Sequence, residues 1–235
     1  MSVAVLVLAA GRGERLGADV PKAFVPLAGV PLLLRTLAAV ARVREVDRVV
    51  PVVGAADRER LALIAPALAG IPKLAPPVRG GAERQDSMQA GLASLAPDVD
   101  LVAVHDAARP FVRARDVARV LAAAREVGAA LLAVPVTDTI KRVRAGRVVG
   151  TPERSECWAA QTPQAFRAEL LREALAKAIA ADFRATDDVQ LVERLGLPVA
   201  VVEGDPGNVK ITRPEDLAAA EARLARCALG GEATR

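Results

Sequence analysis

An apolar, β-branched run at Val3–Ala9 passes directly into Ala10-Gly11-Arg12-Gly13, and this junction limits the fold more than any other feature of the chain. The run is too short to span a bilayer, and no positively charged segment precedes it. It therefore reads as a buried strand and not as a signal peptide. A glycine-rich turn at the carboxyl end of a sheet strand is where open α/β sheets receive ligands.

The alternation continues along the chain. Pro31–Val43 has helical apolar spacing, Val46–Val53 reads as a strand and Arg58–Leu68 as a helix. An extended piece at Pro72–Val78 precedes a helix from about Glu83 to Leu95. Asp100–His105 is a strand, Ala114–Val127 an amphipathic helix, and Ala129–Val136 a strand apolar throughout, as expected where both faces are covered. The rhythm breaks at Thr139–Glu153, which alternates around Ala145-Gly146 and reads as a hairpin with a charged face. Its Val and Ile side chains need a surface to bury against, and a second copy of the chain is the natural one. Trp158–Phe166 is extended, Arg167–Ala181 helical, and Thr186–Leu195 a helix capped by Thr186. Pro198–Val202 and Asn208–Thr212 read as strands, and Pro214–Leu229 as the closing helix. The fold class expected is α/β: a three-layer, mostly parallel Rossmann-like sheet with helices on both faces and a protruding β-hairpin dimerisation arm. One domain over residues 1–235 is expected, with the arm at about 138–158 and a homodimer built on it.

Composition narrows the partners. Apolar residues make up 52% of the chain but aromatics only 2%, so the core must be built from Ala, Val and Leu. With so few aromatic platforms, binding of single-stranded nucleic acid is not expected. The net charge of +4 comes with no run of Lys and Arg of the kind that marks a DNA-binding arm or a membrane-surface segment. Scattered Arg that converge on folding suit a small phosphorylated ligand. Cys157 and Cys227 match no metal or redox spacing and are expected to be structural. A cytoplasmic location follows most simply.

The first glycine-rich turn fits neither familiar phosphate loop. The third glycine comes one residue late for Gly-x-Gly-x-x-Gly, and no Gly-Lys-Ser/Thr follows. Small residues nevertheless let backbone N–H groups approach phosphate oxygens. Arg15 and Lys22 place two cations in that short loop, which suits a triphosphate whose charge must be neutralised as pyrophosphate departs.

Ala9-Ala10-Gly11-x-Gly13-x-Arg15, followed by Pro21-Lys22, is similar to the opening of sugar-nucleotide pyrophosphorylases and cytidylyltransferases. Further segments narrow the resemblance: Gly80-Gly81-Ala82-Glu83-Arg84-Gln85-Asp86-Ser87, His105-Asp106-Ala107-Ala108-Arg109-Pro110 and Pro135–Lys141. Thr162-Pro163-Gln164 and Asn208–Asp216 complete the set. In this order, over residues 9 to 216, they resemble the 2-C-methyl-D-erythritol 4-phosphate cytidylyltransferase family of the non-mevalonate isoprenoid route. The resemblance implies CTP over Ala9, Ala10, Gly11 and Gly13, with Gly81, Ala82 and Ser87 near the cytosine and Asp106 toward the ribose, and it counts Ala107 among the substrate-binding residues. It implies that Arg15 and Lys22 hold the triphosphate, while Lys210 and Arg154 position the acceptor's phosphate. Thr139, Arg109 and Thr162 would contact the methylerythritol portion; because Thr139 and Arg154 bracket the hairpin, the site they serve is either their own or the neighbouring subunit's. Mg²⁺ is the expected cofactor, bound mostly through CTP phosphates, with Asp106 the protein's metal contact.

The acceptor's phosphate is already a nucleophile, so no Ser, Cys or His nucleophile is needed, and His105 reads as a structural group. Asp187 and Asp188 read as helix-start acids and stay out of the metal set. Rival readings are a cytidylyltransferase for another polyol phosphate such as ribitol 5-phosphate, a dinucleotide-dependent oxidoreductase and a nucleotide-sensing module. The late third glycine, and Val52-Val53-Gly54 where an acidic residue would end the second strand, weigh against the oxidoreductase.

Overall fold

A computed structural model of the chain describes residues 1–11, 16, 17 and 20–232. In chain order the elements are β1 (Val3–Ala9), a 3₁₀ turn (Lys22–Phe24), the short pair β2 (Pro26–Leu27) and β3 (Val30–Pro31), α1 (Leu32–Ala41) and β4 (Arg48–Val53). Then come α2 (Arg58–Leu63), α3 (Ala65–Ala69), β5 (Val78–Arg79), α4 (Arg84–Ala93), β6 (Leu101–Asp106), α5 (Ala114–Val127) and β7 (Ala129–Pro135). The arm is β8 (Arg142–Arg144) and β9 (Arg147–Gly150), followed by β10 (Trp158–Arg167), α6 (Ala168–Ala180), α7 (Val189–Glu193), β11 (Ala200–Glu203) and α8 (Pro214–Glu232).

Seven strands form one sheet in the order β11-β7-β10-β6-β1-β4-β5, parallel except for β10. Alternation along each central strand sends side chains into two separate cores. Val3, Val5 and Val7 of β1 face α1 and α5, meeting Leu33, Leu37, Val120 and Leu121. Ala4 and Leu6 face the opposite layer, where Met88, Leu92, Leu171 and Leu175 of α4 and α6 pack. Burial on both faces is why these strands are apolar throughout. The three-layer α/β architecture expected from the pattern is therefore present. Gly91 lets α4 lie close on the sheet: a Cβ there would fall 2.9 Å from a Val52 methyl and 3.1 Å from Leu6.

From β1 the chain moves to β4 and β5 on one side, then returns to place β6 on the other. The sheet order thus reverses at β1, and a crevice opens between the carboxyl ends of β1 and β6. Leu8 sits opposite Asp106 in the parallel register, so the turns after the two strands emerge side by side.

Four expectations are corrected. The helix expected over 58–68 is broken into α2 and α3, with Pro66 in the first turn of α3, where its missing N–H is tolerated. Asn208–Thr212 is not a strand: Ile211 N–H donates to Ala108 O, and side chains such as Asn208 hold the rest of the segment. The helix expected over 186–195 shrinks to α7. Thr186 does not cap it; the Asp187 carboxylate accepts the Gln190 N–H at 3.3 Å. Cys227 is exposed on α8 and Cys157 half-buried, so neither is a core thiol. The hairpin stands as expected, with Ala145 (φ 47°) and Gly146 (φ 73°) in the left-handed region that tight hairpin turns require. Its Val143, Val148 and Val149 are exposed. Among the described residues no helix is long and apolar enough to cross a membrane.

Candidate active site

A cleft occupies the crevice at the sheet's switch point. Its walls are the end of β1 and the turn after it (Leu8–Gly11), the turn before α4 (Gly81–Glu83) with Arg84 and Ser87, and the end of β6 (Asp106–Ala108). Lys22 and Lys210 reach it from segments 188 residues apart in sequence (210 − 22). The fold therefore gathers Ala9, Ala10, Gly11, Lys22, Gly81, Ala82, Ser87, Asp106, Ala107 and Lys210 into one cavity wall. Gly13 and Arg15 lie outside the described residues.

Glycine is required where the turn after β1 meets the turn before α4. A Cβ on Gly80 would stand 2.6 Å from the Ala10 Cβ and 2.8 Å from Ser87 Oγ. Ser87 ties the turn down: its hydroxyl donates to Glu83 O at 3.0 Å and accepts the Gly81 N–H at 3.2 Å.

Asp106 is the electrostatic centre. Lys210 Nζ lies 2.8 Å from Oδ2, Arg84 Nε and Nη2 each lie 3.4 Å from Oδ1, and Arg109 Nε is 3.8 Å from Oδ2. Burial alone would raise this carboxyl, but Arg84, Lys210 and Arg109 outweigh it and hold it well below the ordinary carboxylate range. It is a fixed anion on the floor of a cationic cleft.

His105 is fully buried beneath it. Its Nε2 lies 3.1 Å from Arg109 O, which can only accept, so Nε2 carries the proton. The Thr162 hydroxyl then donates to Nδ1 at 3.0 Å and accepts the Asp106 N–H at 3.0 Å. Burial pushes His105 down to about 4, so the ring is neutral near pH 7. Thr162 is thus engaged below the cleft floor. Arg109 is buried beside it, donating to Asn208 O at 2.8 Å and Ala160 O at 3.3 Å. Those bonds, with Asn208 Nδ2 donating to Gln161 Oε1 and Thr162 O, fix the segment that carries Lys210.

Thr139 and Arg154 are not part of the cleft wall of their own chain. Both are exposed on the arm side, and Arg154 donates to Thr137 O at 3.2 Å. Sequence reasoning missed the weight of Arg84 and Asp188. Arg84 was legible only as part of a motif, and Asp188 only as a helix-start acid. In the fold Arg84 Nη1 donates to Asp188 Oδ1 at 2.7 Å across 104 positions of sequence, a pairing with no local signature.

The sequence profile of the family IspD, 2-C-methyl-D-erythritol 4-phosphate cytidylyltransferase, matches residues 3–226. A protein of that name from Geobacillus kaustophilus is 47% identical over 96% of this chain and 98% of its own length. The chain belongs to this family. Another member, from Symbiobacterium thermophilum, is 47% identical over 94% of this chain and 92% of its own. The crystal structure of the Thermus thermophilus cytidylyltransferase superposes with a TM-score of 0.78 at 41% identity, covering 96% of this chain and all of that one. A 4-diphosphocytidyl-2C-methyl-D-erythritol synthase from Anaerococcus prevotii gives 0.84 at 32% identity, covering 95% and 98%. In this member of the cytidylyltransferase family, the glycine turns, Lys22 and Lys210 line the same cleft.

Proposed function

We propose that the chain transfers CMP from CTP to 2-C-methyl-D-erythritol 4-phosphate, giving 4-diphosphocytidyl-2-C-methyl-D-erythritol and pyrophosphate. The observation that carries this reading is the shared cleft of Lys22, Lys210, Asp106 and the two glycine-lined turns, in a chain of this family. An oxygen of the acceptor's phosphate attacks the α-phosphorus of CTP. The new P–O bond forms as the bond to the β-phosphate breaks, and pyrophosphate leaves with the electron pair. The nucleophile is an anion already, so no proton has to be removed. Catalysis rests on alignment and on positive charge around the reacting phosphorus.

In this reading Lys22 and Arg15 neutralise the triphosphate, and Lys210 holds the acceptor's phosphate in line. The Ala9–Gly11 turn and Gly13 follow the phosphates. Gly81, Ala82 and Ser87 face the base, with Ala82 contributing backbone only. Asp106 and Ala107 lie toward the ribose, and Arg109 and Thr162 set the floor beneath the acceptor. Thr139 and Arg154 complete the cleft of a partner copy, so the working unit is a homodimer joined through the arm, in the cytoplasm.

Among the described residues no three His, Cys, Asp or Glu side chains gather as metal donors. The cleft floor offers Asp106, whose oxygens already face Arg84 and Lys210. That donor set fits an ion carried chiefly by nucleotide phosphates, the usual habit of Mg²⁺, with Asp106 as the protein's share. Such an ion supplies charge neutralisation on the triphosphate and a better leaving group.

The test is pyrophosphate release from CTP with 2-C-methyl-D-erythritol 4-phosphate and, in parallel, with ribitol 5-phosphate. Turnover with the first and not the second is expected; the reverse would transfer the assignment to the other acceptor. CTP binding without pyrophosphate from either would point to a nucleotide sensor.

A further inference from the structure

The segment between α6 and α7 makes no wall of the cleft, yet it is bonded to the turn that does. Gln85 Nε2 donates to Phe183 O at 3.3 Å, and the Ala185 N–H donates back to Gln85 Oε1 at 2.9 Å. Arg184 pairs with Asp86 at the surface. Between these contacts runs the buried one, Arg84 to Asp188 at 2.7 Å. Asp188 is itself held from behind, because its N–H and that of Val189 both donate to Gln164 Oε1, at 2.9 and 3.0 Å. Gln164 belongs to β10 and lies opposite Val104 of β6, two residues before Asp106.

Arg84 is a fork with one prong on Asp188 and the other two nitrogens on Asp106. Asp188 is 2% exposed, and its second oxygen has no hydrogen-bond partner. A buried carboxylate left half-satisfied is costly unless its charge is used. Here that charge orients a guanidinium. Burial lowers the affinity of Arg84 for its proton, but Asp188 and Asp106 more than restore it, so the fork stays cationic. The chain of contacts Asp188–Arg84–Asp106–Lys210 therefore crosses the whole cleft floor.

We propose that Asp188 is a positioning residue for the nucleotide: acting only through Arg84, it fixes the first turn of α4, and with it the Gly81–Glu83 turn and the Asp106 carboxylate, in the geometry that receives CTP. This deepens the cytidylyltransferase reading and rests on it. The side chain does not line the cleft. Its removal is therefore felt as a misplaced turn, not as a lost contact.

The experiment is a double-mutant cycle with Asp188→Asn and Arg84→Gln, reading CTP affinity by calorimetry and the kinetic constants for each substrate. Loss of one charge-assisted bond predicts about a tenfold weaker CTP affinity for D188N. The same rise, about tenfold, is expected in the KM for CTP, with the acceptor's KM within about twofold of wild type. On the R84Q background, D188N should change CTP affinity by no more than about twofold, because the group it acts through is gone. A general loss of structure would instead lower kcat and leave both KM values alone, and that result overturns the proposal. So does a D188N effect that persists in full without Arg84. If D188N fails to fold, Arg84→Lys takes its place: a lysine keeps the charge but cannot fork, so the same rise in CTP KM is expected, and a wild-type value overturns the proposal. Intact CTP binding by the wild-type protein without acceptor turnover would remove the functional reading alone, and the calorimetric cycle would still decide this one.

Discussion

Lys22 and Lys210 are useful to a phosphate-transfer site only if the glycine turns between them stay where they are. Removing one preorganised donor of charge stabilisation costs about 10²–10³ in rate. Lys22→Ala and Arg15→Ala are each expected to lose that much in kcat with CTP and the methylerythritol phosphate, measured by pyrophosphate release. A Lys22→Ala enzyme with near-normal turnover would take that side chain out of the chemistry. Gly80 tests the same geometry from the backbone. An added methyl would stand 2.6 Å from the Ala10 Cβ, so Gly80→Ala must push the base-side turn off the phosphate-side turn. Overpacking of this kind costs about 1–3 kcal/mol, and CTP affinity should fall with stability. Thermal melting with and without CTP checks both, and an unchanged ligand-induced shift in the melting temperature would contradict it.

At the level of elements, β6 carries a pH dependence. In the unfolded chain His105 titrates near 6.5, while in the fold burial holds it to about 4. Between those values only the unfolded chain takes up the proton, so stability is complete above the higher value and is lost as pH falls toward the lower. The loss from pH 7 to pH 5 is about 2 kcal/mol, visible as a lower urea midpoint. His105→Gln should flatten that part of the profile; an unchanged slope would assign it to other groups. The same strand shows what a sequence discloses. The unbroken apolar runs of β1, β6 and β7 and the 3.6-residue period of α5 are local patterns, so the layers were legible from the chain alone. The turn after β1 was legible too, because glycine at a strand end marks it, whereas the turn after β6 carries no glycine and was legible only through the family motif. The break at Pro66 was a local signal passed over. Asn208–Thr212 imitates a strand but is held by side chains of Arg109 and Asn208, and a pattern of apolar residues cannot report such partners. The Arg84–Asp188 pair was hidden for the same reason.

For the whole molecule, assembly turns on the arm. Thr139 and Arg154 flank it and stay out of their own chain's cleft, while the arm's valines have no cover. If each cleft borrows Arg154 from its partner, co-expressing Lys22→Ala and Arg154→Ala chains builds mixed dimers with one defective and one native site. Random pairing then returns about a quarter of wild-type activity from two nearly inactive parents. Activity no higher than the parents' sum would place Arg154 in its own chain's site or in none. The strand β10 adds a practical consequence, because it begins at the foot of the arm with Trp158, 39% exposed, in a chain that has no tyrosine and no second tryptophan. Ultraviolet excitation therefore lights a single indole at that spot. Its emission should move to the blue as concentration rises and a neighbour shields the ring from water. A colour that stays constant through dissociation would mean that subunits meet elsewhere.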